Sequence, residues 1–156
     1  MSIFRNASER QVNIGLTVLR VVVGIIFMAH GAQKIFVFGF EGVAGGFAQM
    51  GIPMAGILGP FVGFVELLGG FALVAGFLTR LASVGLASTM VVAILVVHLQ
   101  NGFFNPGGVE FPLSLLAGSV LLALTGAGRW SIDGLINRRV EAPETVTVRD
   151  GLRRAA

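Results

Sequence analysis

Residues 56–99 read GILGPFVGFVELLGGFALVAGFLTRLASVGLASTMVVAILVVHL, and this stretch decides the fold. Apart from Glu66, Thr79-Arg80 and His98, it is almost wholly apolar or small. A helix rises about 1.5 Å per residue and the hydrocarbon core of a bilayer is about 30 Å thick, so about 20 apolar residues make one membrane span. The stretch therefore predicts spans over about 56–78 and 81–99, joined by a tight turn into an antiparallel hairpin.

Two further apolar runs flank this hairpin, over about 14–38 and 111–127. The second of them is short, and Trp130 after it is typical of a residue that anchors a span at the membrane interface. Glycine and proline interrupt the chain between the runs. The sequence therefore predicts an all-α fold, an integral membrane four-helix bundle.

Between the first two spans lies a glycine-rich stretch, 39–51. Its apolar residues recur three or four positions apart, which predicts a short interfacial helix. These residues are Phe40, Val43, Phe47 and Met50.

The composition of the whole chain supports a membrane protein. Of its 156 residues, 54% are hydrophobic and 12% are charged, and the mean hydropathy is +0.87. The charged fraction is about half that of a soluble domain, which excludes disordered and nucleic-acid-binding proteins despite a net charge of +3. Because the chain has no cysteine, it forms no disulfide, holds no cysteine-ligated iron–sulfur cluster and has no thiol chemistry of its own.

The Lys and Arg residues predict the orientation. Of the 11 such residues, only Lys34 falls on one side of the predicted bundle and the other ten fall on the opposite side. Cytoplasmic loops carry the excess of basic residues, so both termini are expected in the cytoplasm. The basic residues on that side are Arg5, Arg10, Arg20, Arg80, Arg129, Arg138, Arg139, Arg149, Arg153 and Arg154.

Three segments follow from this topology: a cytoplasmic N-terminal segment (1–13), the four-span domain (14–130), and a juxtamembrane helix with a disordered basic tail (131–156). Ser131 is suited to cap that juxtamembrane helix. A cleaved signal peptide ending near Ala29-His30-Gly31 is the competing interpretation of the N-terminus, and Arg20 within the apolar run argues against it.

Ionisable residues within the spans need an explanation, because each costs about 2.5–3.5 kcal/mol on insertion scales. At about 100° per residue, three of them share one face of the first span with two glycines and a phenylalanine. That face holds Arg20, Gly24, Phe27, His30, Gly31 and Lys34. The other spans carry one each: Glu66, His98 and Glu110.

Two pairings are expected among these groups. Arg20 and Glu66 lie at compatible depths for a buried ion pair, more structural than catalytic, which fixes helix register. Lys34, one turn after His30, disfavours a second cation, so a neutral imidazole is expected at His30. The glycines near Glu66, Gly59 and Gly63 among them, allow another backbone to approach closely.

The group as a whole fits a small redox-active molecule better than a bound metal or haem. Haem ligation by His30 and His98 is disfavoured because His30 lies about 12 Å deeper than His98. No local motif supports a metal site, so no metal and no intrinsic cofactor is predicted.

A membrane quinone presents two carbonyls that need hydrogen-bond donors and protons within an apolar slot. We predict catalytic roles for His30, Lys34 and Glu66, with His30 and Lys34 as donors and Glu66 or Glu110 as proton relay. The predicted substrate-binding residues are Arg20, Phe27, His98, Phe103, Phe104 and Glu110, with Phe27, Phe36, Phe103 and Phe104 available to pack on the ring.

These residues resemble a known family. Leu19-Arg20, Gly24, Phe27, His30-Gly31 and Lys34 resemble the first-helix signature of the DoxX family. The later parts of the pattern are Glu66-Leu67-Leu68-Gly69-Gly70, Gly76-Phe77-Leu78-Thr79-Arg80, His98, Gly102-Phe103-Phe104, Glu110 with Pro112, and Gly126-Ala127-Gly128-Arg129-Trp130-Ser131-Ile132-Asp133. The resemblance covers about residues 16–136.

The resemblance implies a small four-helix protein of the bacterial inner membrane with an oxidoreductase function. The family is similar to the small subunit of a thiosulfate:quinone oxidoreductase, and other members are linked to quinone detoxification or to membrane assemblies that handle thiols and oxidative stress. Carried over residue by residue, it gives Arg20, His30, Lys34, Glu66, His98 and Glu110, the same set that the cost of burial selects.

Two other functions stay open. The first is a non-enzymatic membrane scaffold or subunit that uses Gly59, Gly63 and the basic tail to hold a peripheral protein or an anionic lipid. The second is a small-molecule transporter, suggested by the midplane charges and a weak internal repeat. The expected partners are membrane lipids, a peripheral or membrane redox partner and a second copy of the chain, with no nucleic acid.

Overall fold

The computed structural model describes residues 6–141, and within that range the chain forms helices and connecting loops with no strand. The helices are α1 (Glu9–Ala32), α2 (Gly39–Gln49), α3 (Ala55–Ala75), α4 (Thr79–Ala93), α5 (Glu110–Thr125) and α6 (Ile132–Glu141). A π-helical turn, Gln33–Phe38, joins α1 to α2, and a second one, Ile94–His98, prolongs α4 before a 3-10 turn, Leu99–Asn101. The predicted disordered tail lies outside the described residues from position 142 onward.

Three continuous helical stretches are long and apolar enough to cross a membrane: Glu9–Gln49, Ala55–Ala75 and Thr79–Asn101. Glu110–Thr125 is a shorter apolar helix, in agreement with the short span predicted over about 111–127. Large apolar side chains cover the outside of the bundle, where only lipid can solvate them favourably. The predicted all-α membrane bundle is confirmed, whereas the location of the termini stays a prediction.

The four long helices pack in the order α1, α3, α4, α5, each antiparallel to the next. α5 returns to α1, where Gly118 lies against Val23 and Leu19. The core between them is apolar, with Phe27 and Leu73 among its fully buried side chains. We call the end where α1 finishes and α3 begins the cavity end, and the opposite end the arginine end.

The glycine-rich stretch after α1 forms the predicted short helix, α2, and this helix packs against the first half of α3. Gly39 has a φ of +68°, a backbone conformation that favours glycine, and it redirects the chain between the π-helical turn and α2. Val43 of α2 is buried against Gly59 of α3, and the ring of Phe40 packs against that of Phe64 in a tilted arrangement, with centroids 5.9 Å apart.

Helices α1 and α3 meet backbone to backbone at three glycines. A Cβ added at Gly31 would lie 2.3 Å from the backbone nitrogen of Leu67, and one at Gly24 would lie 2.8 Å from the carbonyl oxygen of Gly70. A Cβ at Gly70 would lie 2.6 Å from the carbonyl oxygen of Gly24. Small residues let membrane helices approach closely enough for such packing, and this contact fixes the register of α1 on α3.

A buried arginine closes the arginine end. Arg20 is buried, with 3% of the residue exposed. Its guanidinium donates to the carbonyl oxygens of Leu73 and Val74 at 2.6 and 2.7 Å. It also donates to the carbonyl oxygen of Trp130 at 2.9 Å. Arg20 therefore satisfies carbonyls at the C-terminus of α3 and ties them to the segment before α6.

The predicted ion pair between Arg20 and Glu66 is wrong. The contact of Arg20 with Leu73 leaves Glu66 seven residues away along α3, which is about 10 Å of helical rise. A span of apolar residues gives its depth only to within a turn or two, and the glycine contacts set the register instead.

Polar side chains also organise the start of α6 and the α3–α4 turn. The two oxygens of the Asp133 carboxylate accept the backbone N–H groups of Leu78 and Thr79, each at 2.9 Å, and so cap α4 from outside its own sequence. Ser131 accepts the N–H of Gly134 at 3.0 Å. The prediction of a helix capped by Ser131 is confirmed, and this helix is α6.

The α1–α3 contact predicts the effect of a single methyl group. Gly31→Ala is expected to lower the free energy of unfolding in detergent by about 1–3 kcal/mol, because the helices must separate to admit the Cβ. Thermal unfolding of the purified protein measures the change. The control is Gly45→Ala in α2, where a Cβ meets nothing within 4 Å and alanine favours the helix. Equal stability of the two variants would contradict the packing described here.

The role of Arg20 predicts that its shape matters as well as its charge. Arg20→Lys keeps the charge but offers one compact ammonium, which cannot reach the carbonyls of both α3 and Trp130. We expect a loss of about 1–3 kcal/mol in unfolding free energy for the buried carbonyl left unpaired, again read from thermal unfolding. Arg10→Lys, on the exposed N-terminal turn of α1, is the matched control and is expected to change nothing measurable.

Candidate functional site

A cavity of about 590 Å³ lies at the cavity end of the bundle, enclosed by α1, α3, α4 and α5 with the end of α2 beside them. This volume lies within the range typical of small-molecule sites. Its walls are largely apolar, and the polar side chains that line it are few. The lining polar residues are His30, Lys34, Glu66, Ser88, Thr89 and His98.

An ion pair between Lys34 and Glu66 stands at the wall of this cavity. The antiparallel register of α1 on α3 brings these residues together, and Gly63 leaves room for the lysine, since a Cβ at Gly63 would lie 3.4 Å from the Cβ of Lys34. The Glu66 side chain is 4% exposed and the Lys34 side chain is 21% exposed. The carboxylate is therefore buried while the ammonium keeps access to the space beside it.

His30 lies one turn before Lys34 and marks where the cavity opens. Its side chain is exposed, and its ring lies 5.9 Å from the ring of Phe111, centroid to centroid, at the start of α5. Both residues line the cavity.

His98 is held by the loop that follows it. Its Nδ1 lies 2.7 Å from the carbonyl oxygen of Gly107. Because a carbonyl only accepts, Nδ1 carries the proton in this contact, and a neutral His98 keeps Nε2 as an acceptor. The π-helical turn Ile94–His98 places this residue at the cavity wall.

The structure brings together five of the nine predicted site residues and not the other four. Phe27, His30, Lys34, Glu66 and His98 line the cavity. Arg20 lies at the arginine end, held by backbone carbonyls. Phe103 and Phe104 pack on one another edge to face in an exposed loop, with ring centroids 5.2 Å apart. The Glu110 carboxylate accepts the N–H of Asn105 at 2.8 Å and so shapes that loop instead of facing the cavity.

Several lining residues were not among the predicted site residues. The apolar face of α2, recognised only as a helix signal, supplies Phe47 and Met50 to the cavity wall. Ser88 and Thr89 of α4 also line it, and their hydroxyl groups donate to carbonyls of their own helix. Phe36, which was expected near the ring of a ligand, is 76% exposed and lies outside the lining.

A metal centre finds no support in the part of the chain that the structure describes. In that part, no three His, Asp or Glu side chains come close enough together to hold a metal ion. The polar groups of the cavity are instead suited to hydrogen bonding: an ammonium that donates, a carboxylate that accepts, and two imidazoles, each of which, when neutral, donates from one ring nitrogen and accepts at the other.

The chain is similar to bacterial membrane proteins along most of its length. The model of the family described as DoxX matches residues 15–99. The chain is 34% identical to "Uncharacterized membrane protein Rv3486" of Mycobacterium tuberculosis over 135 residues, which is 80% of this chain and 82% of that protein.

Two further relatives are similar to the same extent. "Putative oxidoreductase CatD" of Bacillus subtilis is 35% identical over 128 residues, covering 82% of this chain and 91% of that protein. "Inner membrane protein YqjF" of Escherichia coli is 33% identical over 129 residues, covering 81% and 95%. No solved structure matches the chain.

The Lys34–Glu66 pair predicts a strong coupling between two substitutions. Lys34→Met leaves a buried carboxylate without its partner and is expected to cost about 3 kcal/mol of unfolding free energy. In the double variant Lys34→Met, Glu66→Gln that charge is gone, so part of the loss is recovered. A double-mutant cycle of thermal unfolding measures the coupling. Gln33→Met, at the exposed neighbouring position, is the control, and simple additivity of the two substitutions would rule out a functional ion pair at this site.

Proposed function

The chain belongs to the DoxX family of integral membrane proteins, and from this premise we propose that it is an oxidoreductase, or a subunit of one, that binds a quinone or a related small redox molecule in the cavity. We place it in the bacterial inner membrane with both termini in the cytoplasm, as the relative YqjF and the distribution of arginines suggest.

The observation that carries the proposal is the Lys34–Glu66 ion pair at the wall of an apolar cavity. Burying two charges within a membrane bundle is costly, and a packed apolar core needs neither. Arg20 is held by three hydrogen bonds to backbone carbonyls, whereas Lys34 keeps donor capacity toward the cavity. A polar ligand group placed there would find a donor that the fold does not already use.

The walls suit a flat ring. Phe27 and Phe111 line the cavity from α1 and α5, and Met50 lines it from the end of α2. Aromatic and thioether side chains pack well against an unsaturated ring, and the exposed apolar surface around the opening suits a molecule that arrives through lipid. A bound quinone supplies two carbonyl oxygens and takes up two electrons and two protons to become a quinol.

The polar side chains divide the hydrogen-bonding roles. The Lys34 ammonium donates to one ligand oxygen while Glu66 keeps it charged. His30 donates to or accepts from the ligand and exchanges protons through the cavity. The Nε2 atom of His98 accepts from a ligand hydroxyl, because its Nδ1 is committed to Gly107. Glu66 is the group best placed to hold a proton beside the ligand.

Electrons must come from outside this chain. The chain has no cysteine, so a thiol donor would belong to a substrate or to a partner protein. We propose a peripheral or membrane redox partner, with membrane lipids and a second copy of the chain as further partners and with no intrinsic cofactor.

Mass spectrometry of an organic extract of the purified protein tests this function first. The wild-type protein is expected to carry an isoprenoid quinone in roughly stoichiometric amount, and His30→Ala is expected to lose most of it while its thermal unfolding is unchanged. The matched control is Gln33→Ala, which changes an exposed residue next to Lys34 that does not line the cavity. This variant is expected to keep the bound quinone.

Other outcomes point to other functions. A different small molecule bound in stoichiometric amount would keep the cavity as the site and replace the chemistry. Absence of any bound molecule from wild type and variants alike would contradict the quinone site and favour the membrane scaffold. Gly59 and Gly63 are buried against α2 and the π-helical turn after α1 in the same chain, so a scaffold would have to use another surface. Uptake into proteoliposomes above that of empty vesicles would favour a transporter.

A further inference from the structure

A second cavity, of about 770 Å³, lies at the arginine end, on the far side of the bundle from the first one. It is bounded by the start of α1, the α3–α4 turn, the end of α5 and the first turns of α6. Its lining is far more polar than that of the first cavity and includes three arginines: Arg80, Arg129 and Arg138. None of these residues takes part in the proposed redox function.

The charges around this cavity are unbalanced. Asp133 is the acidic residue in the lining, and both its oxygens are occupied by the backbone N–H groups of Leu78 and Thr79. Among residues 6–140, neither Arg80 nor Arg138 has a carboxylate within 4.0 Å, and each donates one hydrogen bond to a backbone carbonyl. Arg129 approaches Glu9 only at 3.9 Å, with both side chains largely exposed. The guanidinium groups thus keep unused donors around the cavity.

The surroundings of the arginines are apolar on the side facing the membrane spans. Leu81 follows Arg80 and is 69% exposed on α4, and Leu124 is 72% exposed on the adjoining face of α5. Phe77 and Trp130 are also exposed at this end. Arginines beside an exposed apolar strip, at the ends of membrane helices, match a molecule with an anionic head and hydrocarbon chains.

We propose that this cavity binds the headgroup of an anionic phospholipid, with the phosphodiester between Arg80 and Arg138 and an acyl chain along Leu81 and Leu124. A guanidinium offers two parallel N–H donors to a phosphate. Two guanidinium groups together can therefore donate to both non-bridging oxygens of the phosphodiester. A zwitterionic lipid brings its own cation into a cavity already rich in positive charge and binds more weakly. This inference is independent of the quinone proposal, because it uses no residue of the first cavity.

The test measures lipid binding to purified protein by native mass spectrometry and by the rise in Tm on adding lipid. The lipids are phosphatidylglycerol and, as the neutral counterpart, phosphatidylcholine. The double variant Arg80→Gln, Arg138→Gln is compared with Arg10→Gln, Arg139→Gln, which removes the same charge from residues outside the cavity lining. Phosphatidylglycerol is expected to bind the first variant on the order of tenfold more weakly than wild type, and the second within about twofold of it.

Three results would overturn the proposal. Equal weakening in both double variants would mean a diffuse attraction to basic residues. Equal binding of the two lipids by wild type would remove the role of charge, and protection by inorganic phosphate equal to that by phosphatidylglycerol would mean a site for a free anion. If Arg80→Gln impairs folding, the single variant Arg138→Gln keeps the test valid, because Arg138 lies on an exposed part of α6. This single variant must also weaken phosphatidylglycerol binding.

Discussion

The contact between α1 and α3 at Gly24, Gly31 and Gly70 is the constraint on which the rest of the structure depends. Lipid chains are as apolar as the helices, so helices in a membrane associate through close packing and hydrogen bonds and not through the exclusion of water. With backbone against backbone, α1 has one register on α3. That single register sets Arg20 beneath the end of α3 and Lys34 beside Glu66, so one packing contact positions the polar groups at both ends.

Arg20 and Lys34, the charges that α1 and the π-helical turn after it present to α3, consequently have different roles. Arg20 is surrounded by carbonyls that would otherwise lack partners at the end of a helix, so its charge is used up in holding the fold. Lys34 has one partner, Glu66, and open space beside it. One basic residue, Arg20, thus holds the fold together, and the other, Lys34, is an available donor. The number of hydrogen bonds that each makes within the protein distinguishes the two roles.

The sequence predicts those features that depend on local pattern and fails on those that depend on register. The apolar runs, the α3–α4 hairpin, the α2 face and the Ser131 cap are all local, and each is found in the structure. The Arg20–Glu66 pair was wrong because sequence gives helix depth only to a turn or two, whereas pairing needs the register fixed by glycine contacts. Phe103 and Phe104 were expected at the ligand, but a loop has no periodicity from which their direction could be read.

The two cavities are related through the depth that α1 imposes on them. Arg20 and Lys34 are separated by about 21 Å of helical rise, against a hydrocarbon core of about 30 Å. In the lipid-bound arrangement proposed here, arginines at headgroup level hold one end of the bundle at its interface. The Lys34–Glu66 pair then lies about two thirds of the way across, within a turn or two of the opposite interface. In the proposed quinone complex, His30, one turn nearer to the middle, exchanges protons through the cavity while the ring of the ligand stays among the apolar walls. Lipid binding at one end would therefore fix the depth in the membrane of the redox site proposed at the other end.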